Sequence, residues 1–192
     1  MIFESHAHYD DRQFDVDREK LLESLPLQNV GVIVNVGSDI RSSKESITLA
    51  HQYDYIYAAI GVHPDEVDTM KEADMEELSH MAKEDKVVAI GEIGLDYFRK
   101  EGNAYKSVQK EWFCRQLDLA KEIEKPVIIH SRDAAKDTVE IMKAQHAEEI
   151  GGVVHCFSYT KETAAVFLDM GFYIGIGGVV TFKNAKKLKE AG

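Results

Sequence analysis

The chain has 192 residues and a formal net charge of −11, from 34 acidic against 23 basic residues. That length fits one domain, on a prior of roughly 100–200 residues each, and a hydrophobic share of 44% with only 3 prolines excludes a disordered or collagen-like chain. The negative field repels nucleic acid and anionic membranes, so a phosphate-bearing substrate would need a local cationic site.

Apolar and β-branched runs of strand length fall at residues 2–8, 30–36, 56–62, 87–92, 127–130, 153–156 and 172–176. Helical stripes separate them. Leu21, Leu22 and Leu25 follow the first run, Ile47 and Ala50 the second, and Leu78, Met81 and Ala82 the third. The longest connection carries Val108, Trp112, Leu119, Ala120 and Ile123 on one face. Ala164, Phe167 and Leu168 repeat the signal before Gly171, which reads as a helix stop. Residues 71–85 alternate in charge like a solvated helix, and residues 183–191 read as the start of another.

Strand ends recur roughly every 28 residues, which points to a (β/α)8-type TIM barrel; that fold takes ~250 residues, so about seven of eight units are expected here. An open doubly wound sheet would show the same alternation. No linker or low-complexity tract divides the chain, so residues 1–192 are expected to form a single barrel domain. The apolar stretches at 30–34 and 173–180 are far shorter than the ~18 residues of a membrane span. The N-terminus has no signal-peptide pattern, and a cytoplasmic location without membrane or stable protein partners is expected. Cys114 and Cys156 are too few for a disulfide framework and are expected to be buried, with Cys156 facing the helix layer by strand alternation.

The strand ends carry the chemistry. His6 and His8 stand two apart in one strand, while Glu92, His130 and His155 each close a separate apolar strand. In a parallel barrel those ends converge on one mouth. Imidazole and carboxylate are ligands of Zn, Mn, Fe or Co, and less typically of Mg. Five such residues exceed what one catalytic zinc takes from protein, so two divalent cations bridged by Glu92 are expected, with hydrolysis as the reaction. His63, in Gly61-Val62-His63-Pro64, points to the same mouth as a proton donor or substrate partner. Arg132 and Arg99 are candidate phosphate clamps, Arg99 equally a surface ion pair. Asp96 is expected in the loop after the fourth strand, orienting a ligand without binding the ion itself. Residues 175–178 read as a glycine-rich strand-end turn.

Five ordered blocks carry a resemblance over the whole length: Ser5-His6-Ala7-His8, Gly61-Val62-His63-Pro64, Gly91-Glu92-Ile93-Gly94-Leu95-Asp96-Tyr97, Pro126-Val127-Ile128-Ile129-His130-Ser131-Arg132 and His155-Cys156-Phe157-Ser158. Together they make the sequence resemble the TatD family of metal-dependent deoxyribonucleases. The resemblance implies an amidohydrolase-like TIM barrel, with His6, His8 and Glu92 on one metal and Glu92, His130 and His155 on the other. It implies 3′ to 5′ exonuclease action on DNA, usually with magnesium, some relatives acting at abasic sites or on aminoacyl-tRNA. The bridging position resembles a glutamate where wider relatives use a modified lysine. The family's further metal-binding aspartate on strand eight has no counterpart before Gly192, which reads as truncation of a longer barrel.

Three readings remain open on these residues: hydrolysis of DNA phosphodiester bonds with Mg, Mn or Zn, hydrolysis of C–N or aminoacyl ester bonds, and a catalytically inactive truncated barrel.

Overall fold

β-Branched runs with turn residues at their ends become parallel strands here, and each is returned to its start by a helix whose apolar stripe covers the sheet. The structure is a computed structural model that describes residues 1–99, 102–183 and 185–191. Strands β1 (Ile2–Ala7), β2 (Val30–Val36), β3 (Ile56–Ile60), β4 (Val87–Asp96), β5 (Val127–Arg132), β6 (Gly152–Val154) and β7 (Tyr173–Ile174) alternate with α1 (Arg18–Ser24), α2 (Ile40–Gln52), α3 (Glu72–Met81), α4 (Asn103–Glu122), α5 (Ala135–Ala144), α6 (Lys161–Asp169) and α7 (Lys186–Ala191). Asn184, inside the predicted final helix start, lies outside the described residues.

The seven strands pair in sequence order, β1 to β7, and every pairing is parallel. This is the barrel order, curled into a partial TIM barrel, and it excludes the doubly wound alternative, whose strand order reverses at a switch point. Among the described residues β1 and β7 keep their outer edges unpaired.

Alternation along the strands builds two apolar layers. Ile33, Ala58, Ile60, Ile90 and Ile129 face the helices and pack with Leu22, Leu49, Leu78, Trp112, Phe113 and Phe167 in the larger cluster. Val34, Val36, Ala59, Ala89 and Ile128 face the bore in a smaller one. An apolar cavity of about 730 Å³ opens into that bore between Phe3 and Tyr173, on the two outermost strands. Both side chains are exposed, at 62% and 78%.

Helix starts follow local chemistry. Asp39 caps α2 by accepting the N–H of Ser42, whose hydroxyl in turn accepts the N–H of Asp39. Thr160 caps α6 through Thr163. Gly171 has a φ of 79° and ends that helix as the sequence suggested. Leu168, read as part of the buried stripe, is instead 55% exposed, because α6 turns only Ala164 and Phe167 fully inward.

Candidate metal centre

The mouth of the partial barrel gathers the strand-end residues, and two irregularities in the ladder aim them. Ile90 faces the helices, so strict alternation would send Glu92 the same way. A register shift between Gly91 and Ile93 reverses the parity: Ile93 and Leu95 join the helix-facing core while Glu92 turns to the mouth. A second shift lies between Glu4 and Ala7, beside His6. Gly94, two residues past Glu92, has a φ of 142° and passes so close to β5 that a Cβ there would collide with the His130 carbonyl.

Glu92 is 4% exposed, and its two oxygens are shared out among five imidazoles. Oε2 faces Nε2 of His6 at 3.3 Å and Nε2 of His8 at 3.6 Å. Oε1 faces Nδ1 of His130 at 2.7 Å, Nε2 of His155 at 2.5 Å and Nε2 of His63 at 3.7 Å. The rings of His6, on β1, and His155, just after β6, stack with centroids 3.8 Å apart. Ligand-type atoms of His6, Glu92 and His155 lie within 4.8 Å of one another, as do those of His63, Glu92 and His130.

Hydrogen bonds fix which nitrogen of two histidines carries the proton. His8 Nδ1 lies 2.8 Å from the Val36 carbonyl, which can only accept, so Nδ1 is the donor and Nε2 is left with its lone pair toward the mouth. His63 is the reverse. Its Nδ1 accepts the Asp65 N–H at 3.1 Å, so a neutral ring carries its proton on Nε2, the atom that faces Glu92. A neutral His8 would thus turn a lone pair to the mouth, and a neutral His63 an N–H.

Electrostatics suit a cation. Burial, the largest influence on His6, lowers its pKa to about 4 despite the Glu92 carboxylate, so it is neutral at pH 7. Burial likewise lowers His63 to about 4. For Glu92 burial favours the neutral acid, but the charges and hydrogen bonds of His155, His130 and His6 outweigh it and hold the carboxyl well below its usual value. His130 differs: burial opposes its charge, yet Asp96 on Nε2 at 3.0 Å and Glu92 on Nδ1 raise it to about 9. Asp96, against the same ring, is lowered to about 2 although burial acts the other way.

The donor set therefore fits divalent metal. Neutral His6 and His63 face an ionised carboxylate, the Nε2 atoms of His6 and His8 approach to 2.9 Å, and His6 Nδ1 is buried without a hydrogen-bond partner among the described residues; the protons that Glu92 and its neighbours favour on His8 and His130 are ones a bound cation would displace. Such a cluster of lone pairs is satisfied by a cation. His6, His8, Glu92, His130 and His155 are the residues that would hold it.

Asp96 is the last residue of β4 and not in the following loop as expected, because the ladder with β5 continues to the pair of Asp96 with Arg132. Arg132 lines a cavity of about 500 Å³ at the mouth together with His8, His63, Glu92 and His130, and Arg99 lines it too. Arg99 pairs with Asp65 at 3.3 Å. Cys156 is exposed, contrary to the expectation of burial, because β6 ends at Val154 and a φ of 45° at Cys156 breaks the alternation that would have turned it inward. Cys114 is half-buried.

The sequence reading passed over three buried amides. Gln116 on α4 accepts the Val62 N–H at 2.7 Å and donates to the Val62 carbonyl at 3.1 Å, as a neighbouring strand would. Gln109, two turns earlier, does the same for Asp96 at 3.0 and 2.9 Å and donates to the Pro64 carbonyl at 3.2 Å. One helix face thus grips the backbone on both sides of His63 and at Asp96. Asn35 on β2 accepts the Tyr9 N–H at 2.6 Å and donates to Asp10 and Ser46, anchoring the chain just after His8.

A family described as TatD related DNase matches residues 3–192. The uncharacterized metal-dependent hydrolase YabD of Bacillus subtilis is 45% identical over 190 residues, covering 99% of this chain and 74% of that protein. YcfH of Escherichia coli K12, described in the same words, is 34% identical over 193 residues, with 99% and 71% covered. The crystal structure of YjjV, a TatD homolog from Escherichia coli, superposes with a TM-score of 0.90 at 32% identity, over 99% of this chain and 73% of that one. Relatives so similar over almost the whole of this sequence, and a fold shared to that degree, place the chain in the TatD-related DNase family of metal-dependent hydrolases.

Proposed function

We propose that the protein hydrolyses phosphodiester bonds of DNA from the 3′ end, with two divalent cations held by His6, His8, Glu92, His130 and His155. The observation that carries this reading is the division of the Glu92 carboxylate, one oxygen toward His6 and His8 and the other toward His130 and His155, which is the arrangement of a bridging ligand. The family description, a DNase, supports the substrate class. Bound there, divalent cations supply activation of water and neutralisation of charge on a phosphoryl group.

The chain's own residues do the rest. His63, neutral and with its proton on Nε2, donates a hydrogen bond to an oxygen of the phosphate and so stabilises charge that develops there. Arg132, which forms no ion pair among the described residues, orients the phosphate by its N–H edges. Asp96 holds the His130 ring from the far side and thereby fixes its angle to Glu92. Arg99 reaches phosphate by leaving Asp65.

The test is nucleotide release from a 3′-labelled single-stranded oligonucleotide with magnesium or manganese, with chelator, and with Glu92→Gln. Metal-dependent release that the variant loses is expected, together with a fall in metal affinity of at least about 100-fold. Equal metal content in wild type and variant would overturn the site, and no release from folded, metal-loaded protein would overturn the reaction.

A further inference from the structure

Beside the metal centre stands an aromatic ring that the fold exposes. Phe98 follows β4 by two residues and is 59% exposed, although it lies within a few residues of the most buried part of the chain. The guanidinium of Arg132 lies over it, 3.8 Å from the ring centroid. The juxtaposition is built by the ladder. Asp96 pairs with Arg132 across β4 and β5, the Tyr97 N–H donates to the Arg132 carbonyl at 2.9 Å, and the Phe98 N–H donates to Asp96 Oδ1 at 2.8 Å. The same Asp96 side chain holds His130 through its other oxygen. The Asp96 carboxylate thus ties the backbone of Phe98 to His130, and the ladder places the Arg132 guanidinium over the ring.

We propose that Phe98 and Arg132 form a stacking platform for the 3′-terminal nucleobase of the DNA substrate; the proposal rests on the DNA reading above and adds a base-contacting subsite to it. A chain of net charge −11 gathers no polyanion by its field, so affinity must come from contacts of short range. Stacking is such a contact and tolerates any base, because every base has a π-face. A flat guanidinium adds a second stackable plane while its edges remain directed at phosphate.

The experiment measures binding apart from turnover: fluorescence anisotropy of a 5′-labelled single-stranded oligonucleotide in calcium, beside the same strand with abasic residues at its last three 3′ positions. Wild type should bind the intact strand about 10-fold more tightly. Phe98→Leu, which keeps apolar cover but has no π-face, should lose that preference with an unchanged melting temperature, and Phe98→Trp should restore it. Equal affinity of wild type for the two strands, or a Phe98→Leu protein that still discriminates, overturns the platform. Metal-dependent nucleotide release without discrimination would overturn the platform alone. Discrimination without release would uphold it and overturn the hydrolysis, and failure to bind any strand would overturn both.

Discussion

His63 and His8 are the same residue type at the same mouth, yet their neighbours assign them opposite tasks. The Asp65 N–H takes the Nδ1 lone pair of one, and the Val36 carbonyl takes the Nδ1 proton of the other. His63→Asn should therefore leave metal content intact while lowering kcat by about 10²–10³-fold, as displacement of one donor to a developing oxyanion does. Metal analysis beside turnover checks this, and a fall in metal content would make His63 a ligand. The strand-end histidines were legible in the sequence because their residue type betrays their chemistry. Gln109, Gln116 and Asn35 were not, since an amide acting as a substitute strand neighbour depends on what the fold lays beside it. The one sequence signal was two glutamines seven apart, near Trp112 and Phe113 on a helix whose other inward positions are apolar.

At the scale of elements, α4 and β4 position the mouth. Gln116→Ala leaves the buried N–H and carbonyl of Val62 unsatisfied and should cost about 1–3 kcal/mol, seen as a lower urea midpoint. Glutamate at this position can still accept from the N–H and should recover part of that loss. Gly94→Ala is the sharper test, since strain at its φ of 142° and collision with the His130 carbonyl coincide. A cost of at least about 2 kcal/mol is expected, with weakened metal binding. The same strand shows where periodicity stops being informative. Alternation located β4 but could not foresee the shift between Gly91 and Ile93 that turns Glu92 to the mouth, nor the extension to Asp96. It failed at Cys156 for a like reason, because one residue with positive φ ends the two-residue period.

Over the whole molecule, seven strands in sequence order were readable from the repeat, since each βα unit must bury its own stripe. The shape of the bore was not, because it depends on what pairs with the outer edges of β1 and β7. Net charge acts at this scale as well. If single-stranded DNA is held by metal, stacking and a few arginines, the plot of log K against log salt should be shallower than about −4, the value for about six phosphate contacts. A steeper slope in an anisotropy titration would reveal a cationic path that the described surface does not present.

The stack of His6 on His155 has a mechanical meaning for that curved sheet. Four strands lie between the first and the sixth in the hydrogen-bonded order, so no backbone ladder joins them, and the contact between His6 on β1 and His155 just after β6 runs through side chains on one carboxylate. A cation seated there is a drawstring: it resists any opening of the sheet that would part its two sides. Amide exchange in β1 and β6 should slow together when metal is added, by up to about 2.7 kcal/mol of protection at 100 times the dissociation constant, while α3, remote from the knot, keeps its own rate.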